Sequence, residues 1–484
     1  MAKISPLQVT PLLPGTNCGE CGEETCMAFA VKLLDHVYTV DDCKPLVKEK
    51  KYAKKFAKLK EMTTPPIRAV KVGVGERQIV IGGEEVLYRH ELTYYSPTAI
   101  ILSAPDDNLS LIEERAKLVR DLEVYRIGTL LKIQGLAIRS KSNDPATFAK
   151  AVKTAIATAD IPLILCSTNP AVLKAGANAA KGKNPLLYAA TKENFKEVGQ
   201  IALEHNCGVV VYSMDLNELA SLAASLYAAG LEKIALDPGI EPSDGCFADS
   251  LDRFMMLRKA AIKGDKNVGW PIVTPIASAW IGKDPNLSEA ERIETAFREA
   301  EMGATFIARA SNMLILHSAD SWLLLGLMVL RQGIYSDPRI NPSVEAKLYE
   351  IGNPNENSPV FMTTNYTMTY FVVKDDLEAL KLDAYLLLVD SEGICVESAI
   401  AGGQTKAEHV AEAIKESGLE NKVKHRIIII PGLAARISGE LEALSNWKVL
   451  VGPRDSGGIG AFLKAKWDGK LDQLMQEWKE MQEE

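Results

Sequence analysis

Four cysteines stand close together near the start of the chain, in TNCGECGEETCMAFAVKLLDHVYTVDDCKP: Cys18, Cys21, Cys26 and Cys43, spaced Cys-x2-Cys-x4-Cys-x16-Cys. Four thiolates in so short a stretch can give one sulfur ligand to each iron of a cubane iron-sulfur cluster. Gly19 and Gly22 suit a loop wrapped closely around such a group, because glycine permits the backbone to turn and bring its N–H groups near the sulfurs. A structural zinc is the rival reading. Zinc ligands more often come as two Cys-x2-Cys pairs across a longer loop, whereas here the fourth thiol stands alone. A disulfide framework fits least: the chain has only eight cysteines in 484 residues, half of them in this motif, which is the usage of a reducing cytoplasm.

The rest of the chain must position that centre and whatever it serves. Length alone suggests about three domains. With 47% hydrophobic and 24% charged residues the composition is that of a soluble globular protein. The formal charge of −8 leaves no basic surplus to neutralise phosphates, which argues against a nucleic-acid partner. The opening MAKISPLQVTPLLPG has no apolar run suited to a signal peptide. The most apolar stretch, Met313 to Leu330, is interrupted by His317 and Asp320 and reads as a strand end and a buried helix, not a membrane span. A cytoplasmic location is therefore expected. The basic run Lys48 to Lys60 reads as a solvated helix face linking two domains.

Thr63-Thr64-Pro65-Pro66 breaks the helical pattern and closes a first domain, residues 1–62. Two β-rich runs, Ile67 to Val74 and Arg77 to Ile81, read as a hairpin that caps the second domain. Eight apolar strands then alternate with helices: Ala99–Leu102, Leu131–Ile138, Pro162–Cys166, Pro185–Ala189, Val209–Tyr212, Lys233–Leu236, Pro271–Pro275 and Thr305–Ala308. That alternation predicts a (β/α)8 barrel over 63–337, with a doubly wound sheet as the alternative, since periodicity does not show closure. Polar residues following these strands, among them Ser140, Ser167, Asn169, Ser213, Asp215, Asp237, Ser278 and Arg309, would gather at the barrel's C-terminal mouth, with no compact acid/base set among them. Asp237-Pro238-Gly239 reads equally as an acid in a site or as a turn. Cys166, Cys207 and Cys246 read as small packing residues.

A second boundary falls between Asp337-Pro338 and Pro342. Beyond it, four strands with crossover helices predict a small Rossmann-like sheet over 338–484, whose ligand would lie at the strands' carboxyl ends. Those ends carry Thr363-Thr364-Asn365, Asp390 to Cys395, Pro431-Gly432 and Gly452 to Gly458, an edge of small side chains, hydroxyls and backbone amides suited to a large, flat, amide-rich ligand. No Gly-x-Gly-x-x-Gly turn succeeds the first strand, which disfavours a dinucleotide.

The stretches LLPGTNCGECGEETCMAFA, FMTTNYTMTYF, VDSEGICVES, IPGLAARISGELEAL and WKVLVGPRDSGGI together resemble the large subunit of the corrinoid iron-sulfur protein, the gamma subunit of the archaeal acetyl-CoA decarbonylase/synthase complex. Ser456 and Gly460 stand where relatives commonly carry alanine and proline. The resemblance implies an α/β protein with a small N-terminal [4Fe-4S] domain, a central (β/α)8 TIM barrel and a C-terminal Rossmann-like corrinoid-binding domain. It implies that Cys18, Cys21, Cys26 and Cys43 ligate the cluster. It also implies that Thr363, Thr369, Gly393, Ile394, Cys395, Val396 and Ser456 contact a cobalt corrinoid of the cobalamin type.

The function so implied is that of a methyl carrier, an enzyme component in methyl transfer with no catalytic side chain of its own. It would accept a methyl group from a methyl-tetrahydropterin on Co(I) and pass it to the nickel site of acetyl-CoA synthase/CO dehydrogenase, paired with a smaller corrinoid iron-sulfur subunit as a heterodimer. The chain has no Asp-x-His-x-x-Gly motif to supply an axial histidine, and His409 and His425 are not set at a strand end of the third domain. Withholding that ligand should ease reduction of Co(II), and the cluster would then restore Co(I). Two other readings stay open: a pterin-dependent methyltransferase whose own barrel holds the methyl donor, and an iron-sulfur electron carrier with flavin in the C-terminal sheet.

Overall fold

A computed structural model describes residues 4–35, 37–87, 96–127, 129–243, 247–284, 286–335 and 341–483, with backbone alone over 481–483. Cys246 and the Asp337-Pro338 break lie outside the described residues. The chain forms two compact units, one of residues 1–122 and 132–336, the other of residues 123–131 and 337–484.

In the first unit the amino-terminal helices close on a small core of Val9, Phe29, Leu33, Leu46 and Leu59. The basic run expected to be a linker is part of this core instead. Its helix Ala53–Thr63 buries Leu59, and Lys55 Nζ donates to the Pro11 carbonyl at 2.9 Å. An apolar residue on one face of a lysine-rich helix is enough to anchor it, while the lysines stay in water.

Strands β1 (Val70–Val72) and β2 (Ile79–Ile81) pair antiparallel, Val70 opposite Ile81. Val70, Val72 and Ile81 pack among the inward residues of the barrel, so this hairpin plugs it. The first barrel strand, β3 (Ala99–Pro105), leads into its helix Leu109–Asp121 and then a detour into the second unit, β4 (Glu123–Arg126) and β5 (Thr129–Lys132). The remaining barrel strands are β6 (Gly135–Arg139), β7 (Leu163–Cys166), β8 (Leu186–Ala190), β9 (Gly208–Tyr212), β10 (Ile234–Asp237), β11 (Val273–Thr274) and β12 (Met313–Leu316). All pair parallel in chain order, β12 returns to β3, and a single bridge between Leu236 and Ile272 joins β10 to β11. The ring is thus closed, and its strands are almost continuously buried, as parallel strands covered by helices must be.

Two strand assignments change. Thr305–Ala308, expected as the eighth strand, is the end of a 20-residue helix Glu289–Ala308, and β12 is the eighth strand. A capping box at Ser288 and Glu291 starts that helix, and Thr305 Oγ1 donates to the Glu301 carbonyl at 2.8 Å, accommodating a β-branched residue in helical backbone. Arg309, expected after a strand, caps this helix. The expected strand Leu131–Ile138 is two strands. It breaks where Gln134 Oε1 accepts both Ile100 N and Arg331 Nη1 at 2.8 Å.

The second unit is a five-stranded sheet of β13 (Leu348–Ile351), β14 (Val360–Thr364), β15 (Ala384–Val389), β16 (Ile427–Ile430) and β17 (Lys448–Val451), ordered β13-β15-β14-β16-β17. Only β13 is antiparallel. Alternation along the strands feeds two cores. Val360, Met362 and Leu387 pack under helices Val396–Gly402 and Ala407–Glu416. Phe361, Leu386 and Ile429 pack under helices Thr367–Ala379 and Ile459–Lys466. With both faces covered the sheet is doubly wound, and its strand order reverses between β14 and β16. The β4–β5 hairpin joins this unit through Tyr125, whose ring meets Phe371 edge-on at 5.6 Å.

Candidate functional site

Cys18, Cys21, Cys26 and Cys43 line one small pocket with Leu13, Phe29 and Pro45. Asn17, Gly19 and Gly22 take φ of 47°, 73° and 92°, which turns the loop around the pocket. Cys26 opens the helix Cys26–Leu34, its N–H donating to Asn17 Oδ1 at 2.8 Å while Thr25 Oγ1 caps Ala28 N at 3.1 Å. The positive end of that helix favours a thiolate. Cys43 is buried, and burial pushes its thiol up, with the Cys21, Cys26 and Cys18 thiols adding to the rise. Such a thiol keeps its proton until a metal displaces it. Among the described residues no three His, Cys, Asp or Glu side chains are placed to hold a single metal ion. The four thiols share one pocket, which suits a group that takes one sulfur ligand per iron, as an iron-sulfur cluster does.

In the second unit a cavity of about 390 Å³ lies at the carboxyl ends of β14, β16 and β17, where the strand order reverses. Thr363 enters it from β14, Met368, Thr369 and Val372 from the next helix, Cys395 and Val396 from the loop after β15, Pro431 and Leu433 after β16, and Arg454, Asp455 and Ser456 after β17. Beside it the loops after β16 and β17 meet through backbone: Gly432 N donates to the Pro453 carbonyl at 2.8 Å, and a Cβ on Gly432 would come within 2.9 Å of the Gly452 carbonyl. Thr363 is 2% exposed and its hydroxyl has no hydrogen-bond partner. A buried hydroxyl so placed is unfavourable unless a ligand's polar atom meets it.

Of the seven residues expected at the corrinoid, Thr363, Thr369, Cys395, Val396 and Ser456 line this cavity. Gly393 and Ile394 do not. They form the turn that presents Cys395, with Gly393 at φ 68° and Ile394 N bonded to the Ser391 carbonyl at 3.2 Å. A bond to Ser398 lowers the Cys395 thiol. His425 lies at the other end of the sheet, its Nε2 2.9 Å from the Ser358 carbonyl, and His409 Nδ1 is 2.9 Å from the Gln404 carbonyl. Sequence reasoning missed Met368 and Val372, which share a helical face with Thr369; Asn365, expected at a strand end, organises the loop after β15.

The barrel's mouth also holds a buried pair. Tyr188 Oη donates to Asp237 Oδ2 at 2.5 Å, and Gly239 N donates to Oδ1 at 2.8 Å. Burial pushes the Asp237 carboxyl up to about 6, against the Tyr188 and Gly239 hydrogen bonds. Asp237 thus makes the turn that its Asp-Pro-Gly setting allowed, its Oδ1 accepting Gly239 N. Tyr188, inside β8, carries no sequence signal. Asn169 and Asp215, expected at the mouth, cap helices.

A closed barrel, a switch-point cavity and a four-cysteine pocket in one chain define an architecture with known kin. Residues 69–463 match the family described as CO dehydrogenase/acetyl-CoA synthase delta subunit, and residues 13–45 match an Fe-S cluster family, which supports an iron-sulfur cofactor at the cysteines. The acetyl-CoA decarbonylase/synthase complex subunit gamma 2 of Methanosarcina thermophila is 46% identical over 473 residues, covering 96% of this chain and 99% of its own. The gamma 2 subunit of Methanosarcina mazei is 44% identical over 96% of this chain and 99% of its own, and the gamma subunit of Methanothermobacter thermautotrophicus 40% over 95% and 98%. The chain belongs to this family of acetyl-CoA decarbonylase/synthase gamma subunits. Among solved structures, a dihydropteroate synthase from Xanthomonas albilineans matches 55% of this chain and 100% of its own at 13% identity and TM-score 0.37, a level from which no chemistry transfers. Among the described residues no helix is long and apolar enough to cross a membrane.

Proposed function

We propose that the chain is the methyl-carrying corrinoid iron-sulfur component of its complex, taking a methyl group from a methyl-tetrahydropterin and handing it to the nickel site of acetyl-CoA synthase. The supporting observation is the switch-point cavity, mostly apolar and lined by Thr363, whose hydroxyl has no hydrogen-bond partner. Thr363, Thr369, Cys395, Val396 and Ser456 would touch the corrinoid, while Gly393 and Ile394 would hold the loop that does. Cys18, Cys21, Cys26 and Cys43 would ligate a [4Fe-4S] cluster. Bound cobalt would supply a centre that accepts and releases methyl, and the cluster one electron to return Co(II) to Co(I). The protein's part is to exclude water with Met368, Val372 and Leu433 and to meet the ligand's amides with hydroxyl and backbone. In this reading residues 1–62 serve the cluster, 63–337 the barrel and 338–484 the corrinoid, in the cytoplasm, with a smaller barrel subunit covering the corrinoid's other face.

The absorption spectrum of anaerobically purified full-length protein tests both cofactors at once. Corrinoid bands above a broad cluster shoulder are expected; flavin bands without cobalt would overturn the reading. A second reading, a methyl-donor site in this chain's own barrel, is favoured by one observation, the buried Tyr188–Asp237 pair. Weaker methyl-tetrahydropterin binding to the full chain carrying Asp237→Asn would support it, and unchanged binding would remove it.

A further inference from the structure

A separate cavity of about 740 Å³ opens at the barrel's mouth, walled by segments after β3, β6, β11 and β12. We propose that it binds an oxyanion, the phosphate or carboxylate group of a small-molecule ligand. Arg115, 8% exposed, and Arg139, half-buried at the end of β6, both line it. Among the described residues neither has an ion-pair partner, and the Nε of each is buried with no hydrogen bond. Arg115 Nη1 donates to the Ser103 carbonyl, and Arg139 Nη2 lies 3.4 Å from His317 Nδ1. Burial and these two guanidiniums hold the His317 imidazole down to about 4.

Two guanidiniums in one partly buried cavity repel each other, and a counter-charge that enters relieves that repulsion. The protein's own carboxylates do not reach these guanidiniums as ion pairs: Glu299 and Glu114 act on Arg115 only from a distance. Glu299 accepts from Trp280 Nε1 at 2.9 Å, His317 N at 2.5 Å, and Ser318 N at 3.0 Å and Oγ at 2.5 Å. Asp320 pairs with Arg292 at 3.0 Å, and Asp284, exposed at the rim, accepts from Asn286 N at 2.7 Å. Lys283 adds an exposed cation at the same rim. Guanidinium forks match the planar or tetrahedral oxygens of carboxylate and phosphate, and barrels commonly place phosphate at the loops after their seventh and eighth strands, here β11 and β12. This site uses neither the cysteines, the C-terminal cavity nor the Tyr188–Asp237 pair, so it stands apart from the methyl-carrier reading.

Calorimetric titration of the full-length protein with inorganic phosphate, and separately with glutarate, tests the site. Saturable binding of at least one anion is expected, weakened roughly 10- to 100-fold by Arg139→Gln, as loss of a charge-assisted hydrogen bond implies. Lys283→Gln, a change at an exposed residue that leaves the core intact, should weaken it about twofold or more. Tighter phosphate assigns a phosphorylated ligand, and tighter glutarate a carboxylate. No saturable binding of either, or affinities that both folded variants leave unchanged, would overturn the proposal.

Discussion

Asn365 Oδ1 accepts the backbone N–H of Ser391 at 3.0 Å, tying the carboxyl end of β14 to that of β15. The same oxygen takes the Ser391 hydroxyl at 2.9 Å and Gly393 N at 3.3 Å, while Nδ2 donates to Asp390 Oδ1 at 3.0 Å. One carboxamide thereby shapes the loop that carries Cys395 and Val396 to the cavity. Asn365→Ala should lower stability by about 2–4 kcal/mol, because it strands buried donors. It should also reduce cobalt bound per chain. Thermal melts and metal analysis check both, and a variant with full cobalt content would contradict the loop's role.

Thr363→Val separates ligand from fold. The Thr363 hydroxyl has no protein partner, so the isosteric change should leave the ligand-free melting temperature unchanged or slightly higher. Corrinoid affinity should fall by about 1 kcal/mol, roughly fivefold, if the hydroxyl meets the ligand. Equilibrium corrinoid binding to the apoprotein measures this.

Cys18→Ala should remove the cluster's paramagnetic signal and most of the bound iron while leaving corrinoid absorption intact. Methyl transfer starting from pre-reduced protein should survive, and recovery of protein that has been oxidised should fail. Loss of both activities would show that the cluster acts in every turnover.

Asp237 sets a pH signature. Its carboxyl is raised from 3.8 to about 6 by burial, so the folded chain binds the proton more tightly than the unfolded one. The stability this contributes is fully present below about pH 3.8, and it is lost as pH rises through about 6, a change on the order of 3 kcal/mol. Relative to the parent chain, Asp237→Asn should therefore gain in melting temperature between about pH 4 and 7. A difference flat across that range would show that Asp237 keeps an ordinary pKa.

The cysteine pocket and the C-terminal strand ends were legible in the sequence because their signals are local: close thiol spacing, and hydroxyls and glycines set directly after apolar runs. The barrel was legible from strand count, and the bridge between Leu236 and Ile272 supplied the closure that periodicity lacks. Thr305–Ala308 misled because a short apolar run with two β-branched residues reads as strand. Only the cap at Ser288, several turns upstream, marks it as the end of one continuous helix. Tyr188, Arg115 and Arg139 were invisible for a different reason. Each gains its meaning from groups far along the chain, Asp237 for the first and His317 for the last.

The β4–β5 hairpin leaves the ribosome roughly 200 residues ahead of the rest of the unit it belongs to. At about 5–20 residues per second, it waits on the order of 10–40 s before synthesis of β13 to β17 begins. The barrel can close during that interval, with the hairpin held out as a loop. The second unit is therefore completed last, by a contact of high sequence separation, and a gene fragment encoding residues 338–484 alone would lack one of its own pieces.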